Sequence, residues 1–393
     1  MLQRLSQGLI PESPHTQLRA SDGKLLYEHC ITRQGFDGPY TIAYHEQRPH
    51  EAQPAAEAPV PLLTADRRPE RLLRRHYASP RGAHVLDPFP RHRARLLENA
   101  DIALSLAMPT RSDAAYFANA DGDELYFVHA GAGTLRSLLG DVPYRAGDYL
   151  YVPRSLPHRF LIDGQNQHFL VLELRGPLGL PGSYRNTVGQ LRLDAPYSHR
   201  DFRGPILAAP LDEGIRDLWL KSDSALHKYE LRVSPLDVVG WDGSLYPFAL
   251  SIDAFKPKIG KVHLPPPAHA TFDAPGVLIC SFVPRPLDFH EQAVPCPYPH
   301  SSVDIDEVLF YSRGDFTSRR GVGAGSISHH PRGIPHGPHP GAYEDSIGAR
   351  HTDEVAVMLD CVRPLTRSAL AESLEDAAYH GSFVASGGNH STG

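Results

Sequence analysis

The sequence has no apolar run approaching the roughly 20 residues that a membrane-spanning helix needs. It has no long basic run either, and its net charge is -6, so nucleic acid and anionic membrane surfaces are poor partners. Only four cysteines occur, Cys30, Cys280, Cys296 and Cys361. They are scattered without paired spacing, which argues against a disulfide framework and a thiolate zinc site and fits a reducing compartment. The opening residues, Met1-Leu2-Gln3-Arg4-Leu5, lack a signal-peptide core, so the expected location is cytoplasmic. Long helical patterns are scarce as well: 37 prolines and 33 glycines in 393 residues favour many short strands and turns. A chain of this length buries a core without difficulty, as two domains or one large double barrel.

What the chain does have is histidine, and one stretch sets it beside a carboxylate. Cys296-Pro297-Tyr298-Pro299-His300 leads through Asp306-Glu307-Val308-Leu309-Phe310-Tyr311 to Ile334-Pro335-His336-Gly337-Pro338-His339. Two neutral imidazoles and one carboxylate cover one face of an octahedral divalent ion and leave its other positions open. An ion held that way can take a chelating substrate and dioxygen together, which suits non-haem Fe(II) better than a closed four-ligand zinc site does. The candidate metal ligands are His300, Glu307 and His336.

An internal repeat supports this choice. Asp123-Glu124-Leu125-Tyr126-Phe127-Val128-His129-Ala130-Gly131 matches Asp306-Glu307-Val308-Leu309-Phe310-Tyr311-Ser312-Arg313-Gly314, with the same interval from glutamate to glycine. Gly147 through Pro153-Arg154 to Pro157-His158 matches Gly325 through Pro331-Arg332 to Pro335-His336. A strand of apolar and aromatic residues, a glycine turn, a second strand and a Pro-His return is the layout of a cupin barrel. Two copies predict a mainly β bicupin, two jelly-roll/cupin β-barrel lobes with few short helices. The copies differ at one ligand: seven residues before Glu307 stands His300, whereas seven before Glu124 stands Phe117. The first lobe is therefore expected to be structural, with Glu124 and His158 in a buried hydrogen-bonded network. Asn119 or Asp121 stays open as a substitute oxygen ligand.

The expected organisation is an N-terminal β region with the first lobe and a linker over 1–205 (lobe core 102–174), the metal-binding lobe over 206–365, and a short helix and disordered tail over 366–393. Tyr27 and Tyr40–Tyr44 mark early strands, His45 and His50 read as loop or interface residues, and 51–61 as a surface loop. The arginine-rich stretch from Arg67 to Arg95 reads as solvated surface or an inter-subunit contact. The linker from Tyr184 to Phe202, long and with its own aromatics and charges, is expected to be functional or packed against a neighbour, and a homo-oligomer is expected. Ser368 is placed to cap a helix reaching Tyr379, with Gly381 just past it.

Four features together resemble homogentisate 1,2-dioxygenases, and most of all their shorter bacterial branch. They are Trp241-Asp242-Gly243 with Tyr246-Pro247, the proline run between His263 and His269, Glu307 in its strand, and Pro335-His336-Gly337-Pro338. The likeness covers nearly the whole chain and is weakest over 51–95 and the tail. It implies Fe(II) on His300, Glu307 and His336, and conversion of homogentisate and O2 to maleylacetoacetate by ring opening beside the acidic side chain. It further implies a histidine that takes a phenolic proton, His269 first and His263 next. His330 falls where the family has a substrate-contacting histidine, Arg319 or Arg320 where it carries a lysine toward the substrate carboxylate, and Tyr311 is placed with the same pocket. In the better-known long branch the carboxylate comes one residue sooner, which keeps Asp306 open beside Glu307; the repeat with Glu124 favours Glu307. Phe316 meets a phenolic pocket residue of that branch and removes its hydroxyl. The substrate is thus a small aromatic acid: homogentisate, or in the alternative another hydroquinone, gentisate or salicylate. A non-oxidative bicupin isomerase or binding protein is the reading of a different class.

Overall fold

The structure, a computed structural model, describes the chain apart from residues 1–2, 14–15, 33–39, 48–52, 55–59, 62–70, 79–87, 209, 262–263, 265, 292, 298–303, 317, 320, 335 and 384–393. His50, His263, His300, Arg320 and the tail beyond Phe383 accordingly lie outside the described residues.

Two β-rich lobes pack against each other, and the repeat seen in the sequence recurs in their hydrogen bonding. In the first lobe the long strand Asp123–Ser137 lies between Asp148–Val152 and His158–Leu174, antiparallel to both. In the second, Asp306–Arg313 lies between Ile327–His330 and Val355–Cys361 in a six-stranded sheet that also takes in Ala270–Ala274, Val277–Phe282 and the distant Arg75–Tyr77. The registers match. Glu124 stands opposite Val152 and Glu173, and Glu307 stands opposite His330 and Asp360.

The aspartate before each glutamate does the same structural work in both copies. Asp123 accepts the backbone N–H of Arg154 and of Leu178 at 2.9 Å each, and Asp306 accepts those of Arg332 at 3.0 Å and Leu365 at 2.9 Å. Each carboxylate ties the start of its strand to the Pro-Arg turn and to the segment leaving the lobe. The repeated glycines sit at left-handed turns, Gly131 at φ +97° and Gly314 at +87°, and a Cβ on Gly314 would come within 2.2 Å of the Asp353 carbonyl oxygen.

The lobes meet through buried aromatic side chains. Phe127 and Phe310, equivalent residues on the strand faces turned away from Glu124 and Glu307, make an edge-to-face contact with centroids 6.0 Å apart, and Tyr149 hydrogen-bonds Ser281 at 2.8 Å. A four-stranded N-terminal sheet adds Leu5–Gly8, Tyr27–Thr32, Tyr40–His45 and Val238–Gly243, with Trp241 fully buried. The linker packs against the body: Tyr184 and Tyr197 are buried, and the Tyr197 hydroxyl donates to the Thr271 carbonyl at 2.6 Å.

Strand pairing departs from several expectations. Arg216–Ser222 pairs with Tyr116–Asn119, and Phe248–Ser251 with Asp148–Val152, so these strands belong to the first lobe's sheet although the sequence reading groups 206–365 together. His45 is buried in a strand and bonds Asp237 at 2.8 Å instead of lying in a loop. The arginines expected on the surface include buried ones: Arg75 pairs with Glu375 and Arg93 with Glu124. Ser368 does cap a helix, its Oγ accepting from Ala371 N, but the helix ends at Leu374 because Glu375 turns to extended backbone and bridges to Tyr77. No helix among the described residues is long and apolar enough to cross a membrane.

Candidate metal centre

Glu307 sits in the buried middle row of the second lobe's sheet, and the register sets His330 directly opposite it. Cross-strand partners share a face with Cβ atoms about 5 Å apart, and here His330 Nδ1 reaches Glu307 Oε1 at 2.8 Å. The Pro-His return brings in His336, whose Nε2 is 3.6 Å from the same oxygen. Three donor atoms, one each from Glu307, His330 and His336, lie within 4.8 Å of one another.

His336 has the orientation a metal ligand needs. Its Nδ1–H donates to the Ile334 carbonyl at 3.2 Å, which leaves the Nε2 lone pair facing Glu307. Two donors 3.6 Å apart can both reach an ion at roughly 2.1 Å, so this pair fits a divalent metal. Burial pushes the His330 imidazole down to about 3, and the Glu307 hydrogen bond recovers only part of that, so His330 is neutral at physiological pH. The rival carboxylate, Asp306, is fully engaged by Arg332, Leu365 and the His329 Nε2 at 3.0 Å. Burial alone would raise the Asp306 carboxyl; these hydrogen bonds outweigh it and hold it below the ordinary range.

A cavity of about 660 Å³ opens beside the centre, its wall including Glu307, Tyr311, Phe316, Arg319 and Gly337. Tyr311 hydrogen-bonds Ser328 at 2.8 Å, and its ring meets that of Phe316 edge-on at 4.9 Å. Arg319 donates to the carbonyl of Gly337, the residue after His336, and so its guanidinium is anchored next to the centre. His269 is buried at the end of the turn Pro266–His269, with its ring 5.0 Å from that of Phe282. Pro266, Pro267 and Phe282 are on the cavity wall, but His269 itself is not.

The first lobe makes an instructive contrast. His158 Nε2 is 3.6 Å from Glu124, and its Nδ1 donates to the Leu156 carbonyl at 2.9 Å, the same pair geometry as His336 and Glu307. There the carboxylate meets a resident cation: Arg93 pairs with Glu124, while Asn119 donates to it at 2.9 Å and Tyr126 donates as well. Asn119 gives its own oxygen to the backbone N–H of Asp121. Burial by itself would raise the Glu124 carboxyl, but Arg93 leads the interactions that hold it below its ordinary value.

Two residues of the centre escaped the sequence reading. Asp360 lines the cavity across the strand from Glu307, and extending the repeat to Glu173 would have found it. Tyr379, whose hydroxyl is 3.4 Å from His330 Nε2, carries no signal in the sequence.

The chain is similar to several known proteins. A family model described as homogentisate 1,2-dioxygenase N-terminal matches residues 96–252, the span that closes the first lobe's sheet. A protein of Saccharolobus solfataricus, provisionally named a dioxygenase, is 35% identical over 376 residues, covering 95% of this chain and 97% of its own length. The homogentisate 1,2-dioxygenase of Rhodopseudomonas palustris strain BisB18 is 27% identical over 244 residues, a match that spans 60% of this chain and 53% of that enzyme. Among solved structures, a cupin 2 conserved barrel protein from Leptotrichia buccalis overlaps 69% of this chain and 88% of its own, at a TM-score of 0.30 and 13% identity. With a relative this similar over nearly its full length and a cupin repeat in each lobe, the chain belongs to the homogentisate 1,2-dioxygenase family of cupin dioxygenases.

Proposed function

We propose that this protein is a cytoplasmic Fe(II)-dependent ring-cleaving dioxygenase that converts homogentisate and O2 to maleylacetoacetate. The observation that carries the reading is the Glu307–His336 pair, 3.6 Å apart beside a cavity large enough for an aromatic acid. These two residues, with His300, would hold the ion. What the bound iron supplies is a template and charge stabilisation for a chelating phenol and dioxygen.

The chain's own residues would bind and orient the substrate. Arg319 offers guanidinium hydrogens to a carboxylate, a bidentate contact that a lysine cannot make. Tyr311 and Phe316 form an aromatic wall for the ring. A neutral histidine would take the phenolic proton: His269, beside the wall residues Pro266, Pro267 and Phe282 and not itself on the wall, by preference, and His263 next. The four cysteines are free thiols, three of them buried, in keeping with a reducing compartment.

Phe316 motivates the second reading, in which the same chemistry works on another hydroquinone, on gentisate or on salicylate, because the wall offers no phenolic hydroxyl at that position. Oxygen uptake by the Fe(II)-reconstituted protein separates the readings. Uptake with homogentisate and a product with the absorbance of maleylacetoacetate supports the first. Uptake only with another aromatic acid moves the substrate, and no uptake with any of them sinks the oxygenase reading in favour of an isomerase or binding protein.

A further inference from the structure

The last described stretch of the chain packs behind the centre. After the helix Ala369–Leu374, the Asp376 N–H donates to the His76 carbonyl at 2.8 Å, which ties the chain to the edge strand of the six-stranded sheet. Tyr379 is then buried with its ring nearly parallel to that of His330, at 10° and 6.4 Å between centroids. Further on, Ser382 hydrogen-bonds His339 Nε2 at 2.8 Å, Phe383 stacks on the His339 ring at 4.0 Å, and the Arg74 guanidinium lies over Phe383 at 4.4 Å.

The consequence for His330 follows from donor and acceptor roles. A carboxylate only accepts, so the nitrogen facing Glu307 at 2.8 Å, Nδ1, carries the hydrogen. In a neutral imidazole the lone pair is then on Nε2, and the group facing it is the Tyr379 hydroxyl at 3.4 Å. Both nitrogens of His330 are thereby engaged.

The comparison between lobes says why such a device belongs here. Glu124 is held by an arginine, which also neutralises it, and Val152 occupies the register position of His330. A carboxylate that is to bind a cation must be held without being neutralised, and a neutral imidazole N–H does that.

We infer that Tyr379 is a positioning residue of the metal centre: its O–H donates to His330 Nε2, fixes the tautomer whose Nδ1–H holds Glu307 Oε1, and so orients the Glu307 carboxylate. His330 is then the partner of a ligand and not the third ligand. This rests on the reading of Glu307 and His336 as ligands.

The test is a Co(II) titration of the full-length protein, read by both affinity and ligand-field absorption, for wild type, Y379F, H330N and the double variant. Phenylalanine keeps the ring and removes only the hydroxyl. We expect Y379F to weaken Co(II) binding about 10-fold, the low end for a partner of a ligand, and to shift the absorption. Asparagine at 330 presents an amide N–H near the position of Nδ1 and has no tautomer to fix. In that background Y379F should change affinity less than about 2-fold. Unchanged affinity and spectrum in Y379F would overturn the role. So would an equal loss in both backgrounds, which marks a packing residue, and so would H330N that binds no Co(II), which makes His330 a ligand. Wild-type protein that binds no Co(II) instead sinks the ligand reading itself.

Discussion

Replacing Arg93 by methionine tests whether this arginine takes the place of a bound cation beside Glu124 in the first lobe. The guanidinium and the Glu124 carboxylate are both nearly dry, with side-chain exposures of 8% and 1%. Methionine fills much of the same volume but leaves Glu124 to Asn119, Tyr126 and the neutral edge of His158. Removing one partner of a buried pair strands the other charge, and this typically costs about 3–5 kcal/mol. The double variant R93M/E124Q removes the stranded charge, so it should regain most of that loss and stand within about 2 kcal/mol of wild type. Urea unfolding followed through Trp219, which sits on this lobe's sheet, measures both, together with the change in midpoint at constant slope. A loss below about 1 kcal/mol for R93M, or a double variant as unstable as the sum of the singles, would refute the idea that Arg93 serves as the resident cation.

Other perturbations bear on the centre and the pocket. His336→Ala and His300→Ala should each lose most bound iron, measured by metal content after desalting, because too few ligands remain on an open site; full iron in both would remove these residues from the ligand set. Arg319→Leu should raise KM for an aromatic acid roughly 10- to 100-fold with little change in kcat, the worth of a charged hydrogen bond used equally in the ground and transition states. Acid should destabilise the metal-free protein early. Burial pushes both His168 and His330 down to about 3, so below the ordinary histidine value the unfolded chain takes up protons that the folded one refuses. Two such groups tilt stability by about 2.6 kcal/mol per pH unit near pH 5, falling as pH falls. A flat thermal-unfolding midpoint between pH 7 and pH 5 would contradict this.

The repeat made most of the site legible. Periodicity and the Pro-His returns placed Glu124 with His158 and Glu307 with His336, because a cupin strand fixes which residues face inward and the return fixes the distance. The turn glycines were readable for the same reason, their positive φ admitting little else. What escaped depends on contacts between distant parts of the chain. No local pattern says that Arg93 reaches Glu124, or that Arg75–Tyr77 joins the edge of the second lobe's sheet more than 200 residues before its other strands are complete. Tyr379 was invisible because its role exists only once the chain beyond the helix folds back under His330. The helix from Ser368 was overextended for a related reason: its cap is local chemistry, but its end is set by Glu375 pairing with Arg75 and Arg367.

The most direct test of the account is turnover of homogentisate by the Fe(II)-loaded protein under isotopically labelled dioxygen, with the ring-opened product examined by mass spectrometry. Both labelled atoms are expected in the product, in step with oxygen consumed. A product carrying one labelled atom, or an isomer of the substrate carrying none, would contradict it.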